Sequence, residues 1–211
     1  MSECLKVDDL TLLSDSYHNV NKDILVALVS KVLERVIEEN EKLQLSTPIL
    51  TRFHSQKPPG ISVQNYLERI VKYTALEPVC LLLLLVYADR ISRFKQNHFV
   101  LNSLTVHRFI ISAITVSAKA MCDVYCTNSH YAKVGGVSTR ELCFLELALV
   151  DAIGWQLMSP HDSLLIYYRS LVQNSGIYTT SPQFNSQKHK LGSRSDSSID
   201  SELNKRVALG S

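Results

Sequence analysis

The longest apolar run of the chain predicts the element around which the rest is built. Residues 79–88 read Val-Cys-Leu-Leu-Leu-Leu-Leu-Val-Tyr-Ala, and Pro78 before them supplies a first-turn residue that needs no backbone donor. A helix that is apolar on every side must be buried on every side. About ten apolar residues are too few to cross a bilayer, which needs roughly twenty. The pattern therefore predicts a central core helix over residues 78–93 and no membrane span.

Five further stretches show the spacing or the end signals of helices. Residues 23–40 place Leu, Val and Ile on one helix face and charged residues largely on the other. Ser138-Thr139-Arg140-Glu141 forms a capping box, in which a hydroxyl and a carboxylate satisfy free amides at a helix start. Ser62 and either Asn102 or Ser103 are expected to be caps as well. The predicted helices cover residues 23–40, 63–73, 102–120 and 138–154, with one more opened by Ser159-Pro160.

The remaining stretches are predicted to be connections. Residues 41–60 contain Thr47-Pro48 and Pro58-Pro59-Gly60, which break any helix. Residues 123–137 mix Tyr, Asn, His and Gly and are expected to form a loop. After Asn174 the chain is Ser-rich and has too few apolar side chains to offset its ordering entropy, so a flexible tail is expected. No stretch has a strand pattern, and the predicted architecture is all-α.

Composition narrows the class of protein. The 211 residues are 45% hydrophobic and 20% charged, which is ordinary globular usage. A formal net charge of +2, with Lys and Arg scattered along the chain, lacks the basic surface of a nucleic-acid binder. The 5 cysteines form no Cys-x-x-Cys pair, which favours reduced thiols in the cytoplasm or nucleus. No charged-then-apolar leader opens the sequence, so secretion is not expected.

The motifs that could carry catalysis or a metal are incomplete. Gly135-Gly136 follows no predicted strand and lacks the glycine spacing and the lysine of a phosphate-binding loop. Cys122, Cys126 and His130 stand four residues apart, but a zinc site needs about four such ligands and no fourth is nearby. Neither Gly-x-Ser-x-Gly nor His-Glu-x-x-His occurs. The sequence therefore predicts no catalytic residue, no metal and no cofactor.

Ionised residues inside apolar helices are more informative, because burying a charge is costly unless it is paired. Arg69 and Asp89 stand on consecutive predicted helices, and Lys119 and Glu146 stand within otherwise apolar or small-residue stretches. Opposite charges placed in this way indicate either an internal ion pair or a site presented to a partner. Trp155, just past the helix of Glu146, fits either an interface anchor or a buried core residue.

Several motifs in this order resemble the box of the P/U-type cyclins. They are residues 61–73 with Tyr-Leu-Glu-Arg-Ile-Val-Lys-Tyr at their end, Tyr-Ala-Asp-Arg at 87–90, Val-His-Arg-Phe at 106–109, Ser-Ala-Lys at 117–119, and residues 131–138 leading to Leu-Glu-Leu at 145–147. The resemblance covers roughly residues 53–172 and implies a single five-helix box. The expected division is therefore an N-terminal helix and connecting segment (1–52), a cyclin box (53–173) and a flexible Ser-rich tail (174–211).

The resemblance implies a regulatory subunit that binds and activates a cyclin-dependent protein kinase, in cell-cycle control or in nutrient and phosphate signalling. Lys119 and Glu146 match the charged pair that binds the kinase, and Arg69 and Asp89 match an internal ion pair between the first two box helices. Breaking such a buried pair costs about 3–5 kcal/mol, so Arg69 and Asp89 are expected to stabilise the fold. The implied kinase contacts around the charged pair are Val116, Ala120, Val150, Trp155 and Leu157.

Departures from the family pattern leave a second function open. Ala120 stands where the family usually has Phe, and Cys122-Asp123 stand where it usually has two Asp residues. The missing Phe removes an apolar contact, so a cyclin-fold adaptor that bridges proteins without activating a kinase is the alternative. A cyclin fold that binds DNA ranks third, because the charge is nearly neutral. Positions that match the family's apolar substrate groove hold Glu68, Lys72 and Ala75, so recruitment through that groove is not expected.

Overall fold

The structure is a computed structural model that describes residues 11–42, 50–93 and 99–180. Seven α-helices make up most of this part of the chain. In chain order they are α1 (Lys22–Lys42), α2 (Val63–Tyr73), α3 (Pro78–Arg93), α4 (Val106–Met121), α5 (Asn128–Gly135), α6 (Thr139–Ala152) and α7 (His161–Gln173). A 3-10 turn at Tyr17–Asn19 and two short strands, β1 (Thr11–Leu13) and β2 (Tyr178–Thr180), complete the described elements. The mostly helical fold confirms the predicted all-α class.

Helix α3 lies at the centre of the fold, as its composition predicts. Every residue from Val79 to Tyr87 is buried, and several of its leucines have no exposed surface at all. The helix contacts α1, α4 and α7 and the turn at Tyr17–Asn19. Because α3 is buried on all sides, it needs no polar face. None of the helices in the described part of the chain is long and apolar enough to span a membrane.

The predicted helix starts hold with two corrections. The Ser62 and Ser138 hydroxyls accept hydrogen bonds from backbone amides three residues on, at 3.2 and 3.1 Å. The second half of the capping box is absent, because the Glu141 carboxylate pairs with Arg108 instead. Helix α4 begins after Thr105 rather than at Asn102 or Ser103. The Asn102 side chain accepts from the amides of residues 104 and 105 and so stabilises a turn before the helix.

The expectation of a loop over residues 123–137 is wrong for its second half, which forms α5. The Thr127 hydroxyl caps this helix by accepting from the His130 amide at 3.3 Å. Gly136 ends it in the left-handed conformation, with φ of 72°. Tyr131, which is buried, supplies part of the inward face. An eight-residue helix with few apolar positions gives too weak a periodic signal to be recognised from the sequence.

The expectation that the chain has no strands is also wrong at one place. Strands β1 and β2 form a two-stranded parallel sheet in which Thr11 pairs with Tyr178. Ser175 is buried, so the chain up to Thr180 is anchored to the fold rather than forming a tail. Three-residue strands are too short to show an alternating pattern. The rest of the predicted tail, residues 181–211, lies outside the described residues.

Four of the cysteines lie in the described part of the chain, and all four are free thiols. Cys80 on α3 and Cys122 after α4 are buried with their sulfur atoms 3.5 Å apart, whereas Cys126 is half-buried and Cys143 is exposed. Burial, together with the neighbouring Cys122, raises the pKa of the Cys80 thiol well above its ordinary value. The described residues contain no group of three or more side chains arranged to bind a metal ion.

Candidate partner-binding site

Lys119 and Glu146 meet at the surface where α4 packs against α6. The Lys119 Nζ atom lies 2.6 Å from Glu146 Oε1, and the Asn128 side-chain amide donates to Glu146 Oε2 at 2.6 Å. The Glu146 side chain is 13% exposed and that of Lys119 is 35% exposed. Lys119 stands in the last turn of α4, where a cation is favoured by the helix dipole. The structure thus brings the two predicted residues together and adds Asn128, which the sequence reasoning missed.

The geometry gives the two charges different roles. An ammonium group has three N–H donors, and in this site one of them is used by Glu146. Both carboxylate oxygens of Glu146 already have a donor, and the side chain is nearly buried. Lys119 is therefore the group with unused hydrogen-bond donors, while Glu146 and Asn128 hold it in place.

The apolar positions assigned to this surface divide into core and exposed residues. Val116 keeps only 5% of its surface and belongs to the core, so it has little area to offer a partner. Ala120, Val150 and Leu157 are half-buried. Trp155 is 68% exposed, which excludes the reading of a buried core residue. Large exposed side chains that the sequence reasoning missed lie on the segment after α4 and on α6: Val124, Tyr125, Phe144 and Leu147.

Trp155 is displayed by the turn that ends α6. Gly154 and Trp155 both have positive φ angles, of 63° and 60°. The Trp155 amide donates to the Val150 carbonyl at 2.9 Å, which closes the helix end. A bulky residue seldom adopts this conformation, and such outliers cluster at functional sites. The turn places an exposed indole after the C-terminal end of the helix that carries Glu146.

The segment after Trp155 is tied to the core helix α3. The Tyr87 hydroxyl donates to the Leu157 carbonyl at 2.6 Å, and the Arg90 guanidinium donates to the carbonyls of Gln156 and Met158, to the latter at 2.9 Å. Burial lowers the pKa of Arg90, but a guanidinium stays charged at neutral pH. The sequence singled out Tyr87 and Arg90 within a motif, but not this role. They fix the backbone that presents Trp155.

The expected ion pair between Arg69 and Asp89 is not formed. Asp89 Oδ2 accepts a hydrogen bond from the Tyr167 hydroxyl at 2.6 Å and lies 3.5 Å from Arg93, one turn further along α3. Arg69 instead donates to the Lys133 carbonyl at 3.4 Å. The two side chains point in different directions, because Asp89 faces α7 whereas Arg69 faces the end of α5. The two residues are therefore not a buried pair.

Replacing Arg90 by Gln is expected to loosen the segment that follows Trp155. Removing the guanidinium leaves the Gln156 and Met158 carbonyls without their donor, while the core around α3 stays intact. Hydrogen exchange should report faster exchange of the backbone amides of residues 155–158 with little change in α3. Arg93→Gln is the matched control, because the ion pair of Arg93 with Asp89 is long and exposed. Equal exchange in both variants would contradict the assigned role.

Comparison with known proteins places this chain in a family. The cyclin family model matches residues 23–157. The chain is 40% identical over 164 residues to the Nuc-1 negative regulatory protein preg of Neurospora crassa, covering 76% of this chain and 34% of that protein. It is 38% identical over 150 residues to Cyclin-U4-1 of Arabidopsis thaliana, covering 70% and 74%. It is 39% identical over 155 residues to the PHO85 cyclin PHO80 of Saccharomyces cerevisiae, covering 72% and 52%.

The described part of the chain is a helical bundle that carries a charged pair and several exposed apolar side chains. The family match spans more than half of the sequence, and the chain therefore belongs to the cyclin family. Its relatives place it among the P/U-type cyclins, which confirms the resemblance seen in the motifs. The chain spans about a third of the Neurospora protein and about half of the yeast cyclin.

Proposed function

We propose that this chain is a regulatory cyclin that binds and activates a cyclin-dependent protein kinase. The observation that carries the proposal is the Lys119–Glu146 pair, oriented by Asn128, together with the exposed Trp155 after the end of the helix that carries Glu146. The yeast relative is by its name a cyclin of PHO85, which supports a kinase of that type as the partner. The kinase-binding surface would comprise Lys119, Glu146, Ala120, Val150, Trp155 and Leu157, with Val116 supporting it from the core.

The mechanism we propose is a shift of conformational population. Phosphoryl transfer by a protein kinase requires an ion pair between a lysine of the sheet and a glutamate of the αC helix. A surface that binds only the arrangement with this pair in place stabilises it by its difference in affinity for the two states. The cyclin would contribute no reacting group. Its ammonium at Lys119 would donate to carbonyls of the partner, and Trp155 would fill an apolar recess beside them.

The proposal is tested by co-purification and by kinase activity. The tagged chain is used to isolate bound kinase from its source cells, and the recombinant kinase is then assayed alone and with the chain. An increase in phosphoryl-transfer rate on adding the chain is expected. A complex without any increase would favour the adaptor function, which the small, half-buried Ala120 in place of the family's Phe supports. A folded chain that binds no cyclin-dependent kinase would contradict the proposal.

We also propose the setting in which this function operates. The division into a segment over 1–52, a box over 53–173 and a tail from 174 is retained with its last boundary moved past Thr180, because β2 is anchored. The cytoplasm, the nucleus or both are the proposed locations, and the free thiols support a reducing compartment. Cell-cycle control and nutrient or phosphate signalling are the two candidate pathways.

Replacing Trp155 by Ala is expected to weaken kinase binding by about 30-fold, because buried tryptophans are frequent interface hot spots of about 2 kcal/mol. Stability should change little, since the side chain is exposed and the backbone strain is the same in the variant. Calorimetric titration of the kinase measures the affinity, and thermal unfolding measures the stability. Leu12→Ala, which truncates an exposed leucine on β1, is the control. Unchanged affinity for the Trp155 variant would remove this residue from the interface.

A further inference from the structure

A cleft that neither Lys119 nor Trp155 lines has the features of an anion-binding site. It lies between the segment 55–61, α2, the start of α4 and the turn that joins α5 to α6. Its volume is about 670 Å³, within the range of roughly 300–1,000 Å³ that is usual for ligand sites. Its lining includes the charged residues Lys57, Arg69, Arg108 and Glu141 and the turn residues Gly136 and Ser138.

The charge of the cleft is positive. Lys57, Arg69 and Arg108 come from three separate segments, and the one acidic side chain among the lining residues is Glu141. Glu141 forms an ion pair with Arg108. Lys57 and Arg69 form no salt bridge with any carboxylate in the part of the chain that the structure describes. Three cations and one anion leave the cleft with two positive charges that are not compensated by an ion pair.

Arg69 has most of its hydrogen-bonding capacity available to a ligand. Its recorded hydrogen bond is the 3.4 Å contact to the Lys133 carbonyl, whereas a guanidinium carries five N–H donors. The side chain is half-buried, so part of its conformational freedom is already lost before a ligand arrives. Arg108 is fixed in a similar way, because it donates to the His54 carbonyl at 2.5 Å as well as pairing with Glu141.

The backbone beside Arg69 is open to a ligand. The Tyr66 hydroxyl donates to the Gly135 carbonyl at 2.9 Å and fixes the turn between α5 and α6. A side chain at Gly135 would approach Ile111 to 2.5 Å, so this position is restricted to glycine by packing. Gly136 has a positive φ and no atom within 4 Å of where a side chain would begin. Helix α6 starts directly after Ser138, which adds the positive end of its dipole.

We propose that this cleft binds the phosphoryl group of a phosphorylated serine or threonine in a partner protein. A guanidinium matches phosphate oxygens in a bidentate geometry, and Lys57 adds a second charge. The cleft is far larger than a phosphate ion, and its apolar lining by Pro59, Ile61 and Val137 suits the residues that flank a modified side chain. The inference goes beyond the proposed function, since it requires no kinase in the complex.

The test uses the full chain labelled with ¹⁵N and three probes in NMR titrations. The probes are the peptide acetyl-Gly-Ala-phosphoserine-Ala-Gly-amide, the same peptide with unmodified serine, and inorganic phosphate. The phosphopeptide is expected to shift the amide signals of Gly135, Gly136, Val137 and Ser138, with an affinity that falls as salt is raised. Arg69→Gln and Lys57→Gln are each expected to weaken binding about tenfold. Arg169→Gln, at an exposed position on α7, is the matched control and should bind as the unmodified chain does.

Three results would overturn the proposal. Equal shifts with the unmodified peptide would show that the phosphoryl group is not recognised. Equal affinity for inorganic phosphate would make the cleft a site for the free ion rather than for a partner protein. Full binding by both cleft variants would place the ligand elsewhere. Both variants should fold, because Lys57 is exposed and Arg69 makes one long hydrogen bond, and the unchanged signals of core amides verify this. Failure here leaves the kinase assay unaffected.

Discussion

Reversing the charge at Lys119, in the variant Lys119→Glu, is expected to weaken kinase binding by about 100-fold or more. The change removes the ammonium of Lys119 and brings a second carboxylate against Glu146, whose Oε1 atom lies 2.6 Å from the present Nζ atom. Truncating an interface hot spot costs roughly 2–4 kcal/mol, and a factor of 100 in affinity corresponds to about 2.7 kcal/mol. Surface plasmon resonance with immobilised kinase measures the loss.

A charge-swapped variant separates the partner contact from the internal ion pair. Combining Lys119→Glu with Glu146→Lys keeps two opposite charges next to each other, and the Asn128 amide can turn to present its oxygen instead of its nitrogen. This double variant should fold as the unmodified chain does, yet bind the kinase as poorly as the single variant. Restored binding would show that the pair acts only within the cyclin, which would defeat the assignment of Lys119 as a kinase contact.

Truncating Leu84 to Ala is expected to lower the free energy of unfolding by about 3–5 kcal/mol. Leu84 lies in the middle of α3 and is fully buried, so the variant loses the transfer energy of the removed methyl groups and leaves a cavity that closely packed neighbours cannot fill. Single domains have about 5–15 kcal/mol of stability, so this one change removes a large share of it. Urea unfolding followed by circular dichroism measures the difference.

Leu147→Ala is the matched control for this experiment, because it makes the same chemical change on another helix. Leu147 is 53% exposed, so its truncation should cost less than about 1 kcal/mol. Similar losses for the two variants would mean that α3 is not the centre of the core. The comparison depends on burial alone, and it can be made without the kinase.

The elements that the sequence predicted correctly are those with a strong one-dimensional signal. Helix α3 could be predicted without any periodic pattern, because its nine consecutive residues from Val79 to Tyr87 are all apolar and all buried. Helix α2 combines an apolar stripe with a cap at Ser62. The Lys119–Glu146 pair came from the family resemblance, and the packing of α4 on α6 brings its two charges together.

The features that were missed depend on three-dimensional neighbours. Helix α5 is held by the cap at Thr127 and by buried side chains rather than by its own propensity. The Arg69–Asp89 pair was expected from the family resemblance, but matching motifs on consecutive helices do not determine where the two side chains point. The contacts of Arg90 go to backbone carbonyls 66 and 68 residues away, and carbonyls are present at every position, so no residue pattern marks them.

The described cysteines differ in burial, so their rates of alkylation can report how often the core of this protein opens. Cys143 is exposed and should be alkylated at once, whereas Cys80 and Cys122 can react only when the contact between α3 and the end of α4 separates. Under slow alkylation, the labelling of the buried pair follows the equilibrium population of the open state, and under fast alkylation it follows the rate of opening. Mass spectrometry of pulse-labelled protein could therefore report core opening from its natural thiols, with no introduced dye. Because the Cys143 sulfur lies 3.4 Å from the Asn128 amide, a bulky reagent at that thiol would also occupy the surface beside Glu146.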